Sequence, residues 1–154
     1  MTTDVTIIIA PNETHRLFNI VGTLAELRDI DTISDAVLNN QPIEFHLKVN
    51  PGTPSVSVAY ENCVDNDVKL RIVFSATLDL VDLKTLHVAV SQGLHERSVF
   101  GNACTDDVAV GAPFTFDLAP GGSGTVDDGG IHIDNDARAI WAVVVSNTKE
   151  VLPP

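Results

Sequence analysis

The chain has 154 residues, of which 44% are hydrophobic and 19% are charged, and this composition suits one folded domain. Its 21 acidic residues outnumber its 9 basic residues, giving a formal net charge of −12, so binding to nucleic acid or to an anionic membrane is not expected. No apolar run in the sequence approaches the roughly 20 residues that a membrane-spanning helix needs.

The first 40 residues are predicted to form an N-terminal strand or arm followed by a short helix. Residues 5–9 form a β-branched run that is apolar on both faces of a strand, and a second strand is predicted over residues 17–21. Because such a strand would promote aggregation as a bare edge, it is either central in its own sheet or covered by another subunit. We expect residues 4–24 to make intermolecular contacts, with Val5, Ile7, Ile8 and Ile9 as the interacting side chains. Apolar residues spaced by three and four within residues 23–40 predict the helix, with Asp31 or Thr32 as its cap. The first residues lack the basic segment of a signal peptide, so unsecreted synthesis is expected.

Residues 41–154 are predicted to form the β-sandwich core of what is a single domain overall. Short segments of strand-forming residues alternate with turn residues over this whole stretch. The predicted strands are residues 43–49, 55–62, 68–78, 86–91, 114–118, 130–133 and 137–146. Seven or more short strands of this kind predict an all-β fold, an antiparallel sandwich of the Ig-like or jelly-roll type.

An internal pseudo-repeat supports this interpretation. Residues 45–52 and 65–67 are matched 69 positions later by residues 114–121 and 134–136, with six identical amino acids. The match reflects either a common hairpin pattern met twice or two related halves of one sandwich. In the second case six side chains should point into one core: Phe45, Leu47, Val49, Phe114, Phe116 and Leu118.

The segment of residues 45–74 also resembles the strand, Pro-Gly turn and strand pattern of Ig-like sandwich modules. The resemblance covers about a fifth of the chain and implies a fold class only, without site residues. The Cys-Trp-Cys order of antibody-type domains is absent, because Trp141 follows both cysteines.

The two cysteines, Cys63 and Cys104, each lie beside a turn. They form either a disulfide, which would need an oxidising compartment, or two unrelated thiols. Without neighbouring Cys or His partners they do not match a zinc site.

The sequence contains no catalytic motif, and an enzyme is therefore not expected. Its five histidines are scattered, and neither a metalloprotease helix, a nucleophile elbow nor a phosphate loop occurs. No cofactor is expected. The acidic turns offer the hard oxygens that Ca²⁺ prefers, and the weak candidates are Asp127, Asp128, Asp134 and Asp136, with residues 65–67 and 106–107 adding more carboxylates. Acidic turns of this kind are more often solvated hairpins.

Three functions remain open. The first is a non-enzymatic structural or interaction subunit, such as a virion protein (capsid decoration, capsid or tail component) that self-associates or binds other subunits. The second is an extracellular filament or adhesion module, for which a disulfide would be typical. The third is a hydrolase or ligand-binding sandwich with an unrecognised site.

Overall fold

A computed structural model describes residues 14–30, 35–96, 102–129, 132–133 and 137–151. Within them the chain is almost entirely β-strand, with one turn of 3₁₀ helix at Ala103–Thr105. The strands are β1 (Arg16–Ile30), β2 (Asp35–Val49), β3 (Ser55–Val64), β4 (Val68–Leu78), β5 (Leu86–Glu96), β6 (Phe114–Leu118), β7 (Ser123–Asp127), β8 (His132–Ile133) and β9 (Ala137–Lys149). The predicted all-β fold is thus confirmed. The predicted arm at Val5, Ile7, Ile8 and Ile9 lies outside the described residues.

The strands form two antiparallel sheets packed face to face. Sheet 1 has the order β2-β1-β9-β7, and the two-residue β8 also pairs with β9, whereas sheet 2 has the order β3-β4-β5-β6. Apart from β8, successive strands are neighbours within one sheet, except that the chain passes from sheet 1 to sheet 2 between β2 and β3 and returns between β6 and β7. The first strand, β1, pairs with the last strand, β9. The sandwich is therefore a meander. The Ig-like or jelly-roll type that the sequence predicted is not confirmed, because the described strands follow one another without a Greek-key crossover.

A single core lies between the sheets, because alternate residues of each long strand point inward. In β9 this alternation is regular from Ala137 to Val145. The ring of Trp141 packs edge to face against Phe74 of sheet 2, with 6.2 Å between ring centroids. The other fully buried side chains include Phe18, Ile20, Leu24, Leu27, Leu70, Ile72 and Val145.

The helix predicted within residues 23–40 is wrong, because the described part of that stretch belongs to β1 and β2. The helix-like spacing has a different cause. The register of β1 against β9 shifts between Leu24 and Glu26, so one extra residue separates the buried side chains of Leu24 and Leu27. On the neighbouring strand β2, Asn40 lies opposite this extra residue of β1 and has a φ of 53°. A β-bulge therefore places the two buried leucines three residues apart, where a regular strand would bury every second residue.

The pseudo-repeat corresponds to equivalent positions in the two sheets. The first copy runs from the edge of sheet 1 (β2) to the edge of sheet 2 (β3) and then to β4. The second copy runs from the edge of sheet 2 (β6) to the edge of sheet 1 (β7) and then to β9. The strands that precede the copies, β1 and β5, also occupy matching places beside β2 and β6. The strands of the second copy thus occupy the places in one sheet that the strands of the first copy occupy in the other sheet.

Five of the six side chains predicted for the core do contact it. Val49 and Leu118 are buried, and Phe45, Leu47 and Phe116 are partly buried and pack against the core. Phe114 was predicted wrongly, since 62% of its side chain is exposed. It begins an edge strand at a cleft where the two sheets separate, and its ring rests on Phe116 instead.

Candidate functional site: an interaction surface

The outer face of sheet 1 presents apolar side chains to solvent at its centre. Val21 of β1 pairs with Val144 of β9, and their exposed fractions are 47% and 49%. Ile140, further along β9, is 43% exposed. We call this surface the apolar patch and define it by Val21, Thr23, Ala25, Ile140, Ala142 and Val144, over which lies a shallow groove of about 500 Å³. Exposed apolar side chains grouped on one sheet face make this surface a candidate site of interaction.

An ion-pair cluster borders the apolar patch on one side. Glu26 accepts hydrogen bonds from Arg138 at 2.6 Å and from Arg28 at 2.9 Å. These bonds hold the pKa of the Glu26 carboxyl below its usual value, and the bond from Arg138 has the largest effect. The three charged groups therefore pair with one another at the border of the apolar patch.

A polar cluster borders the other side. Asn19 donates hydrogen bonds to Ser146 at 3.1 Å and to Thr148 at 2.9 Å, and its oxygen lies 2.7 Å from Nδ1 of His46. The apolar patch therefore has a polar rim on both sides along the strands, and Asp127 and Asp128 also line its groove.

A second concavity, the seam cleft, lies where β6 of sheet 2 and β7 of sheet 1 separate. Its volume is about 500 Å³, and its apolar walls include Val90, Ala112, Phe114, Val126 and Trp141. At its base the indole Nε1 of Trp141 donates to Oε1 of Gln92 at 2.8 Å, and Nε2 of Gln92 donates to the carbonyl of Asp128 at 2.5 Å. These bonds join the two sheets across the opening and fix the walls.

The most strongly connected titratable cluster lies at the β4–β5 end of sheet 2. His87 donates to Asp117 at 2.6 Å and to Asp79 at 2.9 Å. The two carboxylates raise the pKa of His87, and Asp117 has the larger effect. No sequence pattern indicates this cluster, because its members come from three separate segments of the chain. Since both ring nitrogens are occupied by carboxylates, the arrangement is an ion-pair network.

The predicted calcium residues that are described accept backbone N–H groups of the protein, Asp127 within its own turn and Asp128 from β9. Asp127 accepts the N–H of Gly129 at 2.9 Å, and Asp128 accepts the N–H of Trp141 at 3.2 Å. Asp134 and Asp136 lie outside the described residues.

The structure gathers a different acidic cluster at one end of the sandwich. Oxygens of Asp29, Asp67 and Glu96 lie within 4.8 Å of one another. All three residues have further interactions within the protein, and Asp67 belongs to the acidic turn at residues 65–67 that the sequence added to the calcium candidates.

Cys63 and Cys104 form a disulfide, with their Cα atoms 5.5 Å apart. It ties the 3₁₀ turn to the end of β3. The same segment is also held by Ala103, whose N–H donates to the carbonyl of Asn66 at 2.9 Å, and by Lys69, whose ammonium donates to the carbonyl of Asp106 at 3.0 Å.

The sequence reasoning did not single out the apolar patch, although one signal was present. The run from Ala139 to Val145 is apolar at both inward and outward positions, whereas a strand with one solvated face should alternate. Such a run predicts a strand covered on both sides, and the structure leaves one side open.

Comparison with protein-family models, curated protein sequences and solved structures finds no match to this chain. Within the described residues, no helix is long and apolar enough to cross a membrane.

Proposed function

We propose that this chain is a non-enzymatic interaction subunit that docks onto a larger assembly through the apolar patch. The observation that carries the proposal is the exposure of Val21, Ile140 and Val144 at the centre of a rigid sheet. Burying such side chains contributes roughly 25 cal/mol per Å² of apolar surface, and a sheet loses little conformational freedom when it binds. The partner should present an apolar face of its own, with basic groups around it to complement a chain of net charge −12.

A virion structural protein, such as a capsid decoration, capsid or tail component, is the first candidate for this role. An extracellular filament or adhesion module is the second, and the disulfide favours it because disulfides persist outside the reducing cytosol. The disulfide is also compatible with a virion surface, which is an oxidising site as well.

Fractionation of the natural source separates these candidates. A virion component co-sediments with particles, whereas a secreted module is recovered from the medium with a processed N-terminus by intact mass. Recovery as a free cytosolic monomer with two titratable thiols would contradict both.

A variant then tests the docking surface itself. Val144→Lys places a charge at the centre of the patch, on an exposed position that the fold tolerates, and should release the protein from the recovered assembly. The matched control is Thr115→Lys, an exposed outward position on sheet 2. Equal release of both variants, or of neither, would mean that the patch is not the docking surface.

A further inference from the structure

The strand β7 lies along the seam cleft, and in the described part of the chain one of its edges pairs with no strand. Its other edge pairs with β9, where Asp128, directly after β7, donates its N–H to the carbonyl of Trp141 at 3.1 Å. Because the bonds of an antiparallel pair involve every second residue, Val126 also bonds to β9. The residues that direct their N–H and C=O groups to the open edge are Ser123, Thr125 and Asp127.

The exposure of Phe114 shows that the sandwich is incomplete beside this edge. Phe114 pairs with Val90 at an inward position of sheet 2, and the other inward residues of β6, Phe116 and Leu118, contact the core. The ring of Phe114 is nevertheless 62% exposed, because the seam cleft lies beside it. A strand added to the open edge of β7 would cover this ring and complete the core.

The seam cleft has the size of a short piece of strand. Given the rise of a strand and the spacings of strands and sheets, one residue of a packed strand occupies roughly 160 Å³. The cleft of about 500 Å³ therefore accommodates about three residues of a strand. Its base is held by Gln92, which bonds to both Trp141 and Asp128, so the cavity exists before anything binds. A site formed in advance avoids the entropic cost of ordering.

The two faces of an added strand would meet different surroundings, because alternate side chains of a strand point to opposite faces. Inward side chains would enter the cleft between Val126 and Phe114. Outward side chains would lie beside Thr125 and Asp127, which face outward because Thr125 pairs with Val144 of the apolar patch. The described residues that line the cleft include two carboxylates and no basic group, and the whole chain has a net charge of −12. Charge complementarity thus favours basic groups on the outward face of the occupant.

We propose that the seam cleft binds an extended peptide segment of a partner protein, which adds a strand to β7 and alternates apolar with basic side chains. The apolar side chains fill the cleft, the basic ones face Asp127, and the peptide backbone pairs with Thr125. Thr125 and Asp127 also line the groove over the apolar patch, so one partner reaches both surfaces. The inference rests on the proposed docking function and names the segment of the partner that binds beside the patch.

An NMR titration of the isotope-labelled full chain with synthetic peptides tests this inference. The probe is the blocked pentapeptide Val-Lys-Val-Lys-Val, which matches the five residues of β7. It should shift the amide resonances of β7 and slow hydrogen exchange of the Thr125 amide at least about tenfold at saturation. Exchange of the Val126 amide, which already bonds to β9, should change little.

Two control peptides isolate the charge and the alternation. Val-Glu-Val-Glu-Val reverses the charge, and Lys-Lys-Val-Val-Val keeps the composition of the probe but mixes apolar and basic side chains on both faces. Each should bind at least about fivefold more weakly than the probe.

Variants of the chain test the open edge and the carboxylate separately. Thr125→Pro removes an N–H that has no ladder bond, so the fold should tolerate it, and binding of the probe should weaken at least about tenfold. Ser57→Pro makes the same change on the open edge of β3 and should bind like the wild type. Asp127→Asn keeps an oxygen for the Gly129 N–H and removes the charge, so binding should weaken about twofold to fivefold. Circular dichroism verifies folding of every variant.

Absence of binding at about 1 mM probe, equal binding of the three peptides, or resonance shifts away from β7 overturns the inference. So does a Thr125 amide that is already protected in the free protein. Protection at every protein concentration would assign the edge to another segment of this chain, and protection that rises with concentration would assign it to a second copy. The titration uses the isolated chain, so its failure is distinct from failure of the proposed function, which Val144→Lys tests on the recovered assembly.

Discussion

Replacing Cys63 and Cys104 with alanine removes the covalent link between the end of β3 and the 3₁₀ turn. The two cysteines are 41 positions apart in the chain. Closing a loop of this length lowers the entropy of the unfolded chain by an amount equivalent to about 4 kcal/mol at 25 °C. A domain of this size is stable by roughly 5–15 kcal/mol, so the loss is a large fraction of the total.

The folded state should keep its geometry in the double variant. The bonds from Ala103 to Asn66 and from Lys69 to Asp106 still hold the turn against the β3–β4 hairpin. The effect should therefore fall mainly on the unfolded chain, which becomes less restricted. We expect the free energy of unfolding to fall by about 3–4 kcal/mol and the denaturant m-value to rise.

Urea titration monitored by the fluorescence of Trp141 measures both quantities, because this single tryptophan is buried in the core. Wild-type protein unfolded in the presence of a reductant should reproduce the values of the double variant. Ser57→Ala, at an exposed position of β3, is the matched control and should change little. A loss below about 1 kcal/mol with an unchanged m-value would show that the link does not restrict the unfolded chain.

Three further changes test the packing and the charges. Phe74→Ala should cost about 3–5 kcal/mol in urea unfolding, whereas Phe116→Ala, at a partly buried position, should cost only about 1–2 kcal/mol; equal costs would contradict the burial assignment. Gly22→Ala would place a Cβ 2.1 Å from the backbone oxygen of Ala142, so it should cost at least about 2 kcal/mol by the same assay, and a neutral result would refute the close approach of β1 and β9. The raised pKa of His87 means that its ion pairs stabilise the fold fully below about pH 6.5 and are lost as the pH rises through the folded pKa. His87→Gln should therefore lower Tm more at pH 6 than at pH 9, and an equal change at both would count against the network.

Local patterns predicted the sandwich well from residue 43 onward, because regular strands there alternate and turn residues separate them. They failed in residues 23–40 for a physical reason. A bulge adds one residue to a strand, and the buried side chains on either side of it then stand three apart, the spacing of a helical face. The cross-strand pairing that distinguishes the two cases, such as Leu27 with Leu38, is not readable from a single segment.

The candidate surfaces were less predictable than the fold. The seam cleft depends on where β6 and β7 diverge, and its base joins Gln92 to Trp141 across 49 positions. The turn over residues 79–85 depends on the side chains of Asp79 and Asp82, which accept N–H groups of their own loop. Both follow from three-dimensional packing, and only the doubly apolar run in β9 left a trace in the sequence.

The pairing of the first described strand with the last one has a consequence for biosynthesis. Arg16 at the start of β1 faces Lys149 at the end of β9, so the centre of sheet 1 cannot form until β9 has left the ribosome. Until then the β1–β2 hairpin has its apolar inner face uncovered, while the β3–β6 meander can already pair strand by strand. Such long-range closure makes folding slow and late, so the nascent chain should need protection by a chaperone during its synthesis.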